Sequence, residues 1–210
     1  MNDTSSDGYT FDLTGGHPAL DFANTVSRRA DRSENREYLA SYGRLVSWGL
    51  QTGLVTRAEA ERLRAEAADH PRAALAALRR ATTVRETIYE LLRPLAHGER
   101  PQSAALEAFN AALPDALGAL RVGTEREGFR WRFEQDASDL APMLAPVLRA
   151  AADLLTSDGI ARVRECDSES CFWLFLDTSK SGTRRWCDMK VCGNRAKARR
   201  HHQRIKSRPS

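Results

Sequence analysis

No apolar run in the chain reaches bilayer-spanning length, which argues against a membrane helix and toward a soluble, cytoplasmic protein. The opening residues, Met1-Asn2-Asp3-Thr4-Ser5-Ser6-Asp7, have no basic stretch followed by an apolar one. A secretory leader is therefore not expected, and the thiols are expected to meet a reducing compartment. There is no glycine-rich phosphate loop, no serine nucleophile elbow and no helical His-Glu-x-x-His; with these signatures missing, the chain does not read as an enzyme. Internal repeats and low-complexity tracts are absent too. Acid is missing from one end: from Met189 onward come Lys190, Arg195, Lys197, Arg199, Arg200, Arg204, Lys206 and Arg208 with no Asp or Glu. These eight cations exceed the net charge of +4, so the rest of the chain is net acidic. Any polyanion contact is thereby assigned to the C-terminal end, and a different task to the remainder.

Cysteine is scarce, with four in 210 residues, and all four fall in one stretch. Cys166-x4-Cys171 and Cys187-x4-Cys192 are two paired-thiol clusters across a short segment, a pattern that suits one tetrahedral zinc ion because each pair supplies half of the coordination shell. Four thiolates would close that shell, so the metal is expected to be structural. Redox-active thiols, inert buried thiols and two disulfides are the rival readings. His201 and His202 are not needed as ligands when four thiols are available. Between the pairs, Cys171 to Leu176 favours a strand, Ser179-Lys180-Ser181-Gly182 a turn and Thr183 to Cys187 a returning strand. A helix is expected to begin near Gly193. Glu165 and Asp167 read as solvated charges beside the cluster.

On such a helix Arg195, Arg199, His202 and Lys206 recur at spacings of four, three and four on one stripe, with Lys197, Arg200 and Arg204 on adjoining surface. A helix this basic repels itself unless a polyanion neutralises it, and its width matches the DNA major groove. With Arg184 and Arg185 these form the expected nucleic-acid surface; a solubilising tail is the plain alternative. Trp173, Phe175 and Trp186 are expected to support the small module rather than to stack on bases.

The motifs Trp173-Leu174-Phe175-Leu176-Asp177-Thr178-Ser179, Arg184-Arg185-Trp186-Cys187 and Cys192-Gly193-Asn194-Arg195-Ala196-Lys197-Ala198-Arg199-Arg200-His201 resemble the CGNR zinc-finger family of bacterial proteins. Gly15-Gly16-His17-Pro18-Ala19-Leu20-Asp21-Phe22-Ala23-Asn24-Thr25-Val26 is similar to the start of that family's N-terminal ABATE domain, whose name ties it to stress-induced transcription regulation. The resemblance implies a zinc-stabilised DNA-binding module on a larger helical domain.

The expected fold is mainly α: a disordered tail over residues 1–10, a helical domain with a small β-hairpin over 11–159, and a treble-clef-like zinc module of knuckle, hairpin and helix over 160–210. Helices are expected over Ala19 to Val26 and Arg36 to Leu50, from Thr56 toward Asp69, and from Pro71 to a bend or stop at Pro94. Another runs from Ser103, with Leu106, Phe109 and Leu113 inward, to Pro114; the last starts at Ser138 and is kinked at Pro146. The alternation Phe129-Arg130-Trp131-Arg132-Phe133 predicts a half-buried strand, paired with Ala119 to Val122. No Gly-, Ser- or Pro-rich linker precedes the module, so it is expected to pack on the large domain.

In that large domain His17, Asp21, Asn24, Trp48 and Trp131 are candidates to line a small-effector pocket, against plainer roles for His17 as a helix cap and for Asp21 and Asn24 as local hydrogen-bond partners. The expected function is a zinc-dependent, DNA-binding transcription regulator in the bacterial nucleoid, with a homodimer and an unidentified effector as further partners. An RNA- or ribosome-associated zinc protein, a zinc-stapled protein-interaction module and a redox switch are the alternatives.

Overall fold

Three caps set the early helices in the computed structural model, which describes residues 9–27, 29, 35–126, 128–134, 136 and 138–206, without the side chains of Glu125, Arg200, His201, Arg204, Ile205 and Lys206. His17 accepts from the Ala19 N–H and Pro18 takes the first helical position, opening α1, Pro18–Ala23. Ser41 caps α2, Tyr42–Gln51, by accepting from Arg44. Thr56 and Glu59 form the expected reciprocal capping box of α3, Arg57–Asp69, satisfying two donors that the helix itself cannot. Pro71 opens α4, Pro71–Ala96. Then follow α5, Ser103–Gly118, the hairpin β3, Leu120–Glu125, with β4, Gly128–Phe133, and α6, Leu144–Leu155. Helix α4 is the spine, since α1, α2, α3, α5 and α6 all pack on it. Trp48, Phe22, Phe109, Ile88 and Leu63 lie at the centre of the core.

Several sequence expectations shift. The stretch Arg36 to Leu50 does not open as a helix: Arg36–Glu37 is a short strand, β2, antiparallel to Val26–Ser27, β1. The buried Arg85 of α4 holds it there, donating to both Glu37 carboxylate oxygens at 2.6 and 2.7 Å. Pro94 lies in the last turn of α4, and α5 runs through Pro114 to Gly118. Leu106 faces solvent although Phe109 is buried. Helix α6 begins at Leu144 rather than near Ser138, so Pro146 falls in its first turn, where the missing N–H would have had no helical partner. The β3–β4 strands are not half-buried. Phe129 is 78% and Trp131 53% exposed; the hairpin base, at Leu120 and Phe133, is half-buried, while Trp131 meets α6 through the Arg149 guanidinium. Of the tail expected to be disordered, residues 1–8 lie outside the described ones, and Tyr9 stacks on Tyr38 at 5.7 Å.

A 3-10 turn, Asp158–Arg162, leads into β5, Val163–Glu165, which pairs antiparallel with β6, Leu174–Leu176. After a wide turn at Met189–Gly193 comes α7, Asn194–Lys206. The C-terminal part packs on the helices as expected, through buried polar contacts. Asn24 brackets the Leu174 peptide, donating to its carbonyl at 2.8 Å and accepting from its N–H at 3.0 Å. The Trp173 indole donates to the Val26 carbonyl at 2.8 Å, and Leu176 N–H to the Gly15 carbonyl at 2.8 Å. Glu165 is no solvated charge. Its side chain is 7% exposed, accepts from Tyr89 at 3.1 Å and Arg93 at 3.0 Å, and faces His97.

Asp21 carries a pH-dependent load in this seam. Its carboxylate accepts from the Gly15 N–H at 2.8 Å, while burial pushes its pKa from 3.8 up to about 6. The folded value exceeds the ordinary one, so the stability it favours is complete below about pH 4 and is lost as pH rises through about 6. One pKa unit is about 1.4 kcal/mol and the carboxyl is partly open to water, so the loss is roughly 2 kcal/mol. Asp21→Asn keeps the acceptor and removes the charge. Thermal melts are expected to show it stabilised at pH 8 and unchanged at pH 4; equal shifts at both would contradict this assignment.

Candidate metal centre and basic surface

The cysteine pairs are brought together by two local devices. The first is the β5–β6 hairpin itself, whose connection carries Cys166 and Cys171 and is closed by the Cys166 N–H on the Trp173 carbonyl at 2.8 Å. Phe172, just past Cys171, takes a left-handed φ of 61°, a strained choice for a bulky residue; its carbonyl accepts from Tyr89 at 3.2 Å. The second device is the turn before α7. Asp188 accepts from Val191 N–H at 2.9 Å, and its carbonyl takes the Cys192 and Gly193 N–H groups. Gly193 leaves space there for the Met189 side chain. The expected return strand Thr183 to Cys187 does not form against β6. Buried Asp177 accepts from the Ser179 and Arg184 N–H groups at 2.9 and 3.0 Å and folds the segment into a loop, and Arg185 pairs its carbonyl with Asp167 N–H instead.

The four Sγ atoms lie within 4.8 Å of one another, and all four cysteines are buried. Cys171 to Cys187 is 3.6 Å and Cys187 to Cys192 is 3.8 Å. Those separations exclude disulfides, which need about 2.05 Å, and match a zinc tetrahedron, whose ~2.3 Å Zn–S bonds put sulfurs ~3.8 Å apart. Hydrogen bonding to the Cys166 sulfur, with the other sulfurs and burial, pushes the Cys171 and Cys187 thiols up, while thiol donors led by Cys171 hold Cys166 down. Four sulfurs this close carry full negative charge together only around a cation. The set fits one structural Zn2+ with no open position. Trp173 and Phe175 pack against the sulfurs, with Tyr38 and Trp186 at the edge of the cluster.

The expected nucleic-acid residues divide. Arg184 turns inward: its guanidinium stands over the Phe175 ring at 4.6 Å and donates to the Trp186 and Cys187 carbonyls, bracing the loop rather than facing solvent. Arg185, Arg195 and Arg199 converge with Trp186 on one notch of about 160 Å³ between the knuckle and α7. Arg185 pairs with Asp167 at 2.6 Å, Arg199 pairs with Glu169, and Arg195 donates to Ser170 at 3.2 Å. Lys197 is exposed. Arg200 and Arg204 lie on α7, and their side chains are outside the described residues.

The proposed effector residues are not gathered into one cavity. His17 caps α1, Asp21 and Asn24 hold the seam, Trp48 is fully buried against Phe22 at 4.8 Å, and Trp131 stands on the exposed hairpin beneath Arg149. His17 and Asp21 take the local roles of cap and hydrogen-bond partner, whereas Asn24 bonds across the chain to Leu174 rather than locally. Sequence reasoning passed over Asp177, read Glu165 as a solvated charge and read Arg184 as a nucleic-acid contact. Asp177-Thr178-Ser179 had the pattern of a side-chain turn and could have been found; nothing local marks the other two.

The family model described as "Putative stress-induced transcription regulator", ABATE, matches residues 16–158, and that of the CGNR zinc finger matches residues 162–205. Neither is an enzyme family. No curated protein matches the chain. Among the described residues no helix is long and apolar enough to cross a membrane. With the first match spanning more than half of its 210 residues, the chain belongs to the ABATE family and carries a CGNR zinc finger after the ABATE region.

Proposed function

We propose that the protein is a bacterial, cytoplasmic transcription regulator that binds DNA through the zinc module of residues 160–210, with residues 11–159 as its helical body. The convergence of Arg185, Arg195 and Arg199 on one notch carries this reading. Three guanidiniums from two segments meet where zinc ties the loop to the start of α7, and the chain beyond Met189 adds cations and no acid. Phosphate is a better partner for these groups than the knuckle acids Asp167 and Glu169, which are 45 and 76% exposed and so contribute little as surface pairs. The 13-residue α7 is about 20 Å long, enough to lie in a major groove.

An effector can change this function only by binding one geometry of the seam between body and module more tightly than another. The reading is tested by selecting bound fragments from mixed genomic DNA and RNA with zinc-loaded protein. Enrichment of duplex DNA is expected, with affinity falling steeply with salt. Preference for structured RNA at matched salt would replace DNA as the partner, and weak, salt-insensitive binding to both would leave a protein-interaction module.

A further inference from the structure

The β3–β4 hairpin presents an open apolar face. Cross-strand register places Leu120 opposite Phe133, Val122 opposite Trp131 and Thr124 opposite Phe129 on one side. Val122, Phe129 and Trp131 are 61, 78 and 53% exposed, leaving roughly 400 Å² of apolar side chain in water, at the scale of a functional patch. A two-stranded ribbon is marginal in water without cover, and among the described residues only its base and Gly123 are half-buried.

The other face makes no such demand. Arg121 pairs with Glu134 at 3.0 Å, and Arg132 lies across Gly123 to donate to the Thr124 carbonyl at 3.1 Å. Arg121 and Arg132 thus find partners within the hairpin, and the side that lacks cover is the apolar one.

Beside the hairpin base lies a groove of about 350 Å³ between α4, α5 and α6, floored by Val84, Ala116 and Leu148, with Asp115 and Asp136 on its rim. Its apolar floor suits the ribbon's aromatic side chains; the ribbon tip, Glu125-Arg126-Glu127-Gly128-Phe129-Arg130, carries two cations and two acids around Phe129. Ribbon and groove are neighbours on one surface, the arrangement a two-fold contact needs, because each copy then offers both halves of the same interface.

We infer that the hairpin and this groove form a homodimer interface, in which the aromatic ribbon of each copy covers the groove of the other. The ribbon's apolar area is about half of the ~800 Å² per partner of a standard interface, and the groove walls supply the rest. This surface is distinct from the zinc module, so the inference stands or falls apart from DNA binding.

Sedimentation equilibrium of the full zinc-loaded chain tests it without nucleic acid. The parent is expected to reach twice its 23.4 kDa by about 100 μM, with Phe129→Ser/Trp131→Ser weakening self-association at least about 30-fold, as for interface anchors. Both side chains are exposed, so helicity and zinc content are expected to be unchanged. Asp115→Arg, on the groove rim, is expected to weaken it about tenfold. A parent that stays monomeric, a double variant that associates as the parent does, or no effect of Asp115→Arg overturns the proposal.

Discussion

Cys187→Ser is expected to release the zinc and unfold the module while α1 to α6 remain helical. Cys187 lies 3.6 and 3.8 Å from Cys171 and Cys192, and it is the cysteine that follows directly on the 177–186 loop. The module's own apolar cluster is small: Trp173 and Phe175 with the four cysteines, and Tyr38 and Trp186 partly buried beside them. So few side chains cannot offset the chain entropy of about 40 residues. Structural zinc in small fingers supplies on the order of 10–16 kcal/mol, so losing one ligand removes most of what holds this part together. The body has its own core around Trp48, Phe22 and Ile88 and is expected to keep its structure, somewhat weakened where Asn24 loses Leu174 and Val26 loses the Trp173 indole. Elemental analysis should fall from one zinc per chain to none. Amide exchange should lose protection from Val163 onward and keep it in α4. Full zinc content, or protection that survives zinc loss, would contradict the assignment.

Replacing Arg185, Arg195 and Arg199 together by alanine is expected to weaken duplex DNA binding by roughly 100-fold or more, with zinc content unchanged. Each phosphate contact contributes about 0.9 to the slope of log affinity against log salt, so losing three should flatten that slope by nearly 3. Glu169→Gln should move affinity the other way by a few-fold, because it frees Arg199 from its exposed partner at small cost in stability. Arg184→Ala provides the contrast. It should damage the loop and the zinc site rather than the salt slope, since its guanidinium is spent on the Trp186 and Cys187 carbonyls. An unchanged slope in the triple variant would remove α7 and the notch as the DNA surface.

The metal ligands and the basic helix were legible because each is a local property. Two Cys-x4-Cys spacings and a run of cations without acid depend on neighbours a few residues away. Helix starts at Thr56 and Pro71 were legible for the same reason: Thr56 and Glu59 satisfy free donors within one turn, and Pro71 at the first position has no N–H to satisfy. Hairpin β3–β4 shows where such reasoning stops. Alternation in Phe129 to Phe133 correctly announced a strand, but alternation says only that two faces differ, and which face is covered depends on packing from elsewhere.

The largest departures involve partners far apart in sequence. Asn24 meets Leu174 and Tyr89 meets Glu165, separations of 150 and 76 residues. A carboxylate that looks solvated becomes a buried bolt only when a tyrosine and an arginine arrive on another helix, and an arginine from a basic motif becomes a brace only when an aromatic ring lies beneath it. Composition and spacing by themselves determined that this chain holds a four-sulfur metal site next to a cationic helix. Tertiary structure alone decided which charges stay free to meet a partner, because burial and ion pairing are set by distance in space, and the chain order does not encode that distance locally.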